Sequence, residues 1–394
     1  MELVTLTVVL VIALALFFDF TNGFHDTANA MATPIATGAL KPKTAVLLAA
    51  ILNLVGAFLS TEVAKTISGG LIREGEGGIQ IGPELIFAGL IGAIVWNMLT
   101  WLLGLPSSSS HALFGGLIGA AIVGAGFGSI DFGVVLSKVI LPALIAPVTA
   151  GLVAYSATKL AYRITRRYDG KPDGRDGFRY AQIFSSSLVA LAHGTNDAQK
   201  TMGVITLTLT FIAVGVQSVG SGPELWVIVV CAFAIALGTY MGGWRIIKTI
   251  GTGLTDVKPA QGFAAETSTA ATILASSHLG FALSTTQVAS GSVIGSGLGR
   301  RGSTVRWGTA GRIALGWLMT LPAAGIVGAL AAAVAHLGLV GIIIDAVVGI
   351  GVILTIFLLS RRNEVNHSNV VSEVADSGRA VKIKRNPKPK KVKK

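Results

Sequence analysis

An all-α polytopic membrane protein made of two inverted-topology repeats, with broken helices and re-entrant hairpins, is the fold class that this sequence predicts. Three observations predict it. Of 394 residues, 52% are hydrophobic and only 13% charged, with a mean hydropathy of +0.71, far too apolar for a water-soluble domain of that size. Apolar runs recur along the whole chain, at Leu3–Phe18, Ala45–Leu59, Leu85–Leu105, Phe132–Ala157, Leu225–Leu237, Ile313–Leu337 and Val340–Leu359. Most of them approach the ~20 residues that cross ~30 Å of hydrocarbon. Finally, three landmarks occur twice in the same order: GFHDTANAMA at Gly23–Ala32 against GTNDAQKTMG at Gly194–Gly203, KTISGGL at Lys65–Leu71 against KTIGTGL at Lys248–Leu254, and SSSHALFGGLIG at Ser108–Gly119 against STTQVASGSVIG at Ser284–Gly295. Landmarks in register with only loop-sized changes of spacing mean an internal duplication. Duplicated membrane bundles commonly set their repeats in opposite orientation, and inversion is the expectation here.

Residues 1–165 form the first predicted repeat. Its opening run has Glu2 as the only charge before Asp19, so it lacks the basic start and the cleavage signal of a secretory leader and reads as a transmembrane helix. A continuous helix over Leu3–Leu40 would rise ~57 Å at ~1.5 Å per residue, too long for one crossing. The expectation is therefore a span followed by a half-helix, broken around Thr21–Asp26. After Leu85–Leu105, Pro106 ends a helix, four serines follow, and HALFGGLIGAAIVGAGFG is small, apolar and glycine-rich. That pattern predicts a re-entrant hairpin with its polar tip inside the membrane, where irregular backbone is tolerated only if buried in protein or lining a wet cavity. Residues 166–180, a polar connector placed in the cytoplasm by its basic residues, lead to a second repeat at 181–338. An extra helix at 339–360 returns a basic tail, 361–394, to the cytoplasmic side.

Fifty glycines would be ruinous in a soluble helical protein, but small residues let membrane helices approach closely. Cys231 is the only cysteine, so no intrachain disulfide forms. The net charge of +12 gathers in Lys159–Arg179 and in the tail from Lys382 to Lys394. Basic clusters beside spans point to membrane lipids with anionic headgroups and not to nucleic acid.

Six hydroxyls, Ser108, Ser109 and Ser110 with Ser284, Thr285 and Thr286, stand where the two half-helices begin. A helix N-terminus offers free N–H groups and a positive dipole to a tetrahedral oxyanion, and such hydroxyls either donate to that anion or simply cap the helix. Asp26 and Asp197 are repeat-matched acids in apolar surroundings, flanked by Asn22, His25 and Asn29 in one half and by Thr195, Asn196, Gln199 and Lys200 in the other. Acids inside transmembrane segments usually face an ion path or a partner. Oxygen-rich sets of this kind suit Na⁺, whereas Thr195 and Asn196 are candidate donors to the anion, and Lys200, three residues after Asp197, either neutralises that acid or offers its charge to the anion. Asn97 and Glu266, each ahead of its hairpin, are further candidate cation ligands, with an interfacial, solvated Glu266 as the alternative. His111 and Gln287 read as residues that orient the hairpins by hydrogen bonds to carbonyls. No spacing resembles a zinc site, no Ser–His–acid or HExxH arrangement points to an enzyme, and no Walker motif points to ATP.

These residues resemble the PiT family of inorganic phosphate transporters. AHGTNDAQKTMGVI at Ala192–Ile205 is similar to bacterial members, GFHDTANAMAT at Gly23–Thr33 to the first-repeat signature, and LPSSSSHALFGGLIG and LSTTQVASGSVIG to the paired hairpin motifs. The resemblance implies secondary active symport of inorganic phosphate with Na⁺, favoured over H⁺, and no other cofactor. It also implies inverted repeats, a homodimer and a multi-pass location in the inner (plasma) membrane. By matched position Asp26, Asn29, Asp197, Glu266 and the hairpin hydroxyls serve the site. Ala282 stands where the family usually has proline, Gln287 where it has histidine, and His25 where it has asparagine. Sulfate is the alternative oxyanion. Phosphate differs by keeping a proton near neutral pH, so an acceptor carboxylate such as Asp26 or Asp197 favours phosphate.

Overall fold

The computed structural model describes residues 2–70, 82–168, 176–212, 222–363 and 365–372. The middle of the 166–180 connector and most of the 361–394 tail lie outside the described residues. Among those described the chain is helical, with one isolated bridge between Thr255 and Val305 in place of any strand. In order the helices are α1 (Glu2–Ala36), α2 (Pro42–Gly56), α3 (Glu62–Gly70), α4 (Pro83–Leu102), α5 (Ser109–Ala125), the single turn α6 (Phe132–Val134) and α7 (Leu141–Tyr168). There follow α8 (Asp176–Ile212), α9 (Leu225–Met241), α10 (Trp244–Gly253), α11 (Pro259–His278), α12 (Thr285–Gly299), α13 (Trp307–Ala335) and α14 (Leu339–Ser360).

Local chemistry sets the boundaries. Helices α2, α4 and α11 begin with proline, whose missing N–H costs nothing in a first turn. Both hairpin helices open on the same device: the Ser108 hydroxyl accepts the His111 N–H and the Ser284 hydroxyl accepts the Gln287 N–H. Between α9 and α10 the chain bends by 66° at Gly242, whose φ of 76° suits a residue without a Cβ.

The expected break in the first span is absent. Helix α1 runs unbroken for 35 residues and its counterpart α8 for 37. Thr21 and Thr27 donate back to Phe18 O (2.8 Å) and Gly23 O (2.7 Å) of their own helix. Asp26, the charged side chain of this stretch, meets hydroxyls of α5 and α12 and faces His193 of α8, so the backbone does not have to unwind to satisfy it. The irregularity falls instead at the α9–α10 bend and at the two hairpins. At the place expected for an extra C-terminal span, α14 is a helix long and apolar enough to cross a membrane.

Packing is reciprocal between the halves. Helix α1 lies against α9 and α10 while α8 lies against α2 and α3; α5 is held by α4 and α13 while α12 is held by α11 and α7. The last long helix of each half thus covers the hairpin helix of the other. Helices α5 and α12 are buried along most of their length, whereas α7, α13 and α14 turn apolar side chains such as Leu152, Leu318 and Val347 outward, as lipid-facing helices do.

Glycine makes the exchanged contacts possible. A side-chain carbon at Gly119 of α5 would fall on the Gly325 carbonyl oxygen of α13, and one at Gly295 of α12 on the Gly151 carbonyl oxygen of α7. Gly119→Ala is therefore expected to destabilise the protein by ~1–3 kcal/mol through overpacking. Gly311→Ala, on α13 with nothing within 4 Å of the added carbon, is expected to stabilise by up to ~1 kcal/mol through helix propensity. Thermal unfolding in detergent measures both, and equal shifts would remove the close-approach argument.

Candidate ion-binding site

Helices α1 and α8 cross with their signature segments facing each other, and the N-termini of α5 and α12 point into the crossing. On α1, Asn22, His25, Asp26 and Asn29 share one side at helical spacing; on α8, His193, Asn196, Asp197 and Lys200 do the same. All eight are buried.

Asp26 is the meeting point. Its Oδ2 is 3.3 Å from Ser109 Oγ of α5 and 3.1 Å from Thr285 Oγ1 of α12, and its Oδ1 is 3.1 Å from Thr286 Oγ1. His25 Nδ1 lies 2.7 Å from Oδ1. Thr285 Oγ1 is also 3.1 Å from Asp197 Oδ2, so this one hydroxyl stands between the two carboxylates. Asn29 Nδ2 donates to Thr285 Oγ1 (3.3 Å) and Thr286 Oγ1 (3.1 Å), holding both hydroxyls in place. Ser110 Oγ donates 3.1 Å to Leu283 O, which ties the first hairpin to the second.

Lys200 pairs with Asp197 and also donates to Leu283 O at 3.2 Å. It neutralises the acid one turn away and at the same time presents its charge beside the second hairpin. His193, for which the sequence suggests no role, occupies the centre: its Nε2 is 2.9 Å from Asp197 Oδ2 and 3.8 Å from Asp26 Oδ2. The ligand atoms of Asp26, His193 and Asp197 lie within 4.8 Å of one another, a set able to hold a cation. The only signals for His193 were its place one turn before Asp197 and its match to Asn22 in the first half.

The remaining candidates are placed differently. Ser108 and Ser284 cap their helices and make no bond to either carboxylate. Thr195 turns its hydroxyl to Leu191 O of its own helix, and Asn196 donates to Ser277 Oγ and Phe281 O. Glu266 is buried and not solvated, which removes the interfacial alternative. It accepts from Thr33, from Ser185 Oγ at 2.6 Å and from Gln182 Nε2 at 3.2 Å. Since Thr33 lies about two turns beyond Asp26, Glu266 forms a separate cluster and is not brought to the aspartates. Asn97 is buried with neither amide atom paired, and Gln287 Nε2 lies 3.5 Å from His111 Nδ1, one hairpin against the other.

Residues 22–328, from the α1 signature through both hairpins, match the phosphate transporter family. The chain belongs to that family. A probable low-affinity inorganic phosphate transporter of Mycobacterium tuberculosis (strain ATCC 25618 / H37Rv) is 55% identical over 374 residues, covering 94% of this chain and 88% of that protein. One of the same name from Bacillus subtilis (strain 168) is 40% identical over 334 residues, covering 84% of this chain and 98% of that protein. Among solved structures, a sodium-dependent phosphate transporter shares the fold with a TM-score of 0.74 at 23% identity, over 84% of this chain and all of that one. As a member of the phosphate transporter family the protein is a transporter and not an enzyme, and its apolar helices make it a multi-pass integral membrane protein.

Proposed function

We propose that this transporter is a secondary symporter that carries inorganic phosphate with a cation, and that the cation is Na⁺. The observation that supports it best is the donation of hydroxyls from both hairpins to Asp26. A hydroxyl has one proton to give. While Ser109, Thr285 and Thr286 spend theirs on carboxylates, they have none for an anion. A cation resting on Asp26 and Asp197 replaces those donors and frees the hydroxyls and the α5 and α12 N-termini to turn to phosphate oxygens. It also offsets negative charge that a low-dielectric site cannot hold unpaired. Cation binding thus prepares the anion site, which is the physical content of coupling.

In this reading Ser109, Ser110, Thr285, Thr286 and Lys200 bind phosphate. Asp26, Asp197 and His193 hold the cation, and Asn29 positions the hydroxyls. Residues 1–165 and 181–338 are the two repeats, and the reciprocal helix packing fits a two-fold relation with an in-plane axis and inverted orientation. The sodium dependence named for the structural relative supports Na⁺. Assembly as a homodimer and contact of the basic tail with anionic lipid complete the proposal.

One observation favours H⁺ as a second reading. His193 Nδ1 faces Asn53 Oδ1 at 3.2 Å, while Asn53 Nδ2 donates to Thr239 Oγ1 at 2.7 Å. Nδ1 is then the donor, and Nε2 faces two carboxylate oxygens, a place that either a proton or a metal cation satisfies. Uptake of radiolabelled phosphate into proteoliposomes decides between them. Accumulation is expected under an inward Na⁺ gradient and not under a pH gradient alone, with no competition from sulfate. Uptake driven by the pH gradient without Na⁺ would transfer the role to a proton at His193, and equal competition by sulfate would overturn phosphate selectivity.

A further inference from the structure

Below the aspartates on α1 lies a second group of buried polar side chains that the scheme above does not use. Asp19 is fully buried, and neither of its carboxylate oxygens has a hydrogen-bond partner among the described residues. Asn22, three residues on and on the same side of α1, has both amide atoms unpaired. Thr201 of α8 faces the Asp19 carboxylate, yet its hydroxyl closes no hydrogen bond of normal geometry. Helices α1 and α4 run side by side in the same direction, as the Phe24–Trp101 ring contact at 5.2 Å and an apolar cavity lined by Leu10 and Phe17 of α1 with Phe87 and Ile94 of α4 show. That register sets Asn97, also unpaired at both amide atoms, at the level of Phe20, between Asp19 and Asn22.

We infer that Asp19, Asn22, Thr201 and Asn97 form a second Na⁺ site, separate from Asp26 and Asp197 and next to them along α1. A carboxylate buried in a membrane interior is satisfied by a proton or by a cation, and among the described residues no basic side chain is bonded to this one. The ligands on offer are all oxygens, two from the carboxylate, two amide carbonyls and a hydroxyl, which is the coordination of a hard cation. With a single negative charge the set suits a monovalent ion better than Ca²⁺ or Mg²⁺, which draw on more carboxylates or on phosphate. The Asp197–Lys200 pair of α8 lies close enough for its charges to reach Asp19, so occupancy here is felt at the first site. The inference rests on the Na⁺ reading above and extends it to an additional ion on the same route.

Binding of radiolabelled sodium to the purified full-length protein tests it, with bound ions counted per chain at saturation. Asp19→Asn keeps the shape of the side chain and is expected to bind one Na⁺ fewer than wild type, while still binding phosphate at saturating Na⁺. Thr201→Val is expected to keep the count but to need at least ~5-fold more Na⁺ for half-saturation of that site. Elution as a single species checks that each variant is folded, and Thr201→Val carries the test if Asp19→Asn does not fold. An unchanged count in Asp19→Asn, or an unchanged saturation curve in Thr201→Val, overturns the second site and leaves the first standing. Absence of Na⁺ binding by the wild type overturns the Na⁺ reading itself.

Discussion

Asp197→Asn is expected to abolish cation-driven phosphate uptake, lowering the initial rate in proteoliposomes by ~100-fold or more, because it removes one of the two charges on which the cation would rest. Asp197 also holds Lys200 and faces His193. The single substitution therefore leaves a buried ammonium without its partner, at a cost of roughly 3–5 kcal/mol in stability. Folding is separated from transport in the double variant Asp197→Asn/Lys200→Met, in which neither member of the pair is charged and the Lys200 contact to phosphate is lost as well. Its unfolding temperature should return toward wild type while uptake stays lost. A folded double variant that still accumulates phosphate at the wild-type rate under a Na⁺ gradient would remove Asp197 from the cation site.

Ser109→Ala and Thr285→Ala are each expected to weaken phosphate binding by ~1–2 kcal/mol, or roughly ten-fold, since each deletes a hydroxyl from one side of the anion site. Both hydroxyls lie within hydrogen-bonding distance of Asp26 Oδ2, so the double variant should depart from simple additivity. Phosphate affinity measured at saturating Na⁺ for the two single variants and the pair reads this directly. Ser108→Ala and Ser284→Ala serve as contrasts, because their hydroxyls cap α5 and α12. They should cost ~1 kcal/mol of stability with little change in affinity. If Thr285→Ala weakens binding and Ser109→Ala does not, only one hairpin grips the anion, and the shared site is wrong.

The duplication, the two hydroxyl runs and the two aspartates were legible in the chain because polar groups stand out against an apolar background and recur at matched places. The Lys200–Asp197 pair was legible too, since three residues along a helix is a local relation. The continuity of α1 was not. A length argument weighs a helix against the bilayer, but whether its polar stretch unwinds depends on partners supplied by α5, α8 and α12, which local sequence does not name. His193 was hidden for the same reason: its position between two carboxylates exists only where α1 and α8 cross, and the first half carries asparagine at the matched place. The location of Glu266 was not legible, because Thr33 and Ser185 reach it from distant parts of the chain.

The exchange of covering helices has a consequence for how the protein is made. When the ribosome has finished α7, the surface that will receive Gly291 and Gly295 of α12 has no occupant, and α12 begins roughly 120 residues later, a delay of about ten seconds at ~5–20 residues per second. The nascent first half must wait in the bilayer with that seam filled by lipid or by the insertion machinery, and its own hairpin helix α5, packed on α4 alone, keeps its other side uncovered until α13 arrives. Assembly is thus a late zipping of two incomplete halves, and the halves made as separate chains should recover a working carrier only when synthesised in the same membrane.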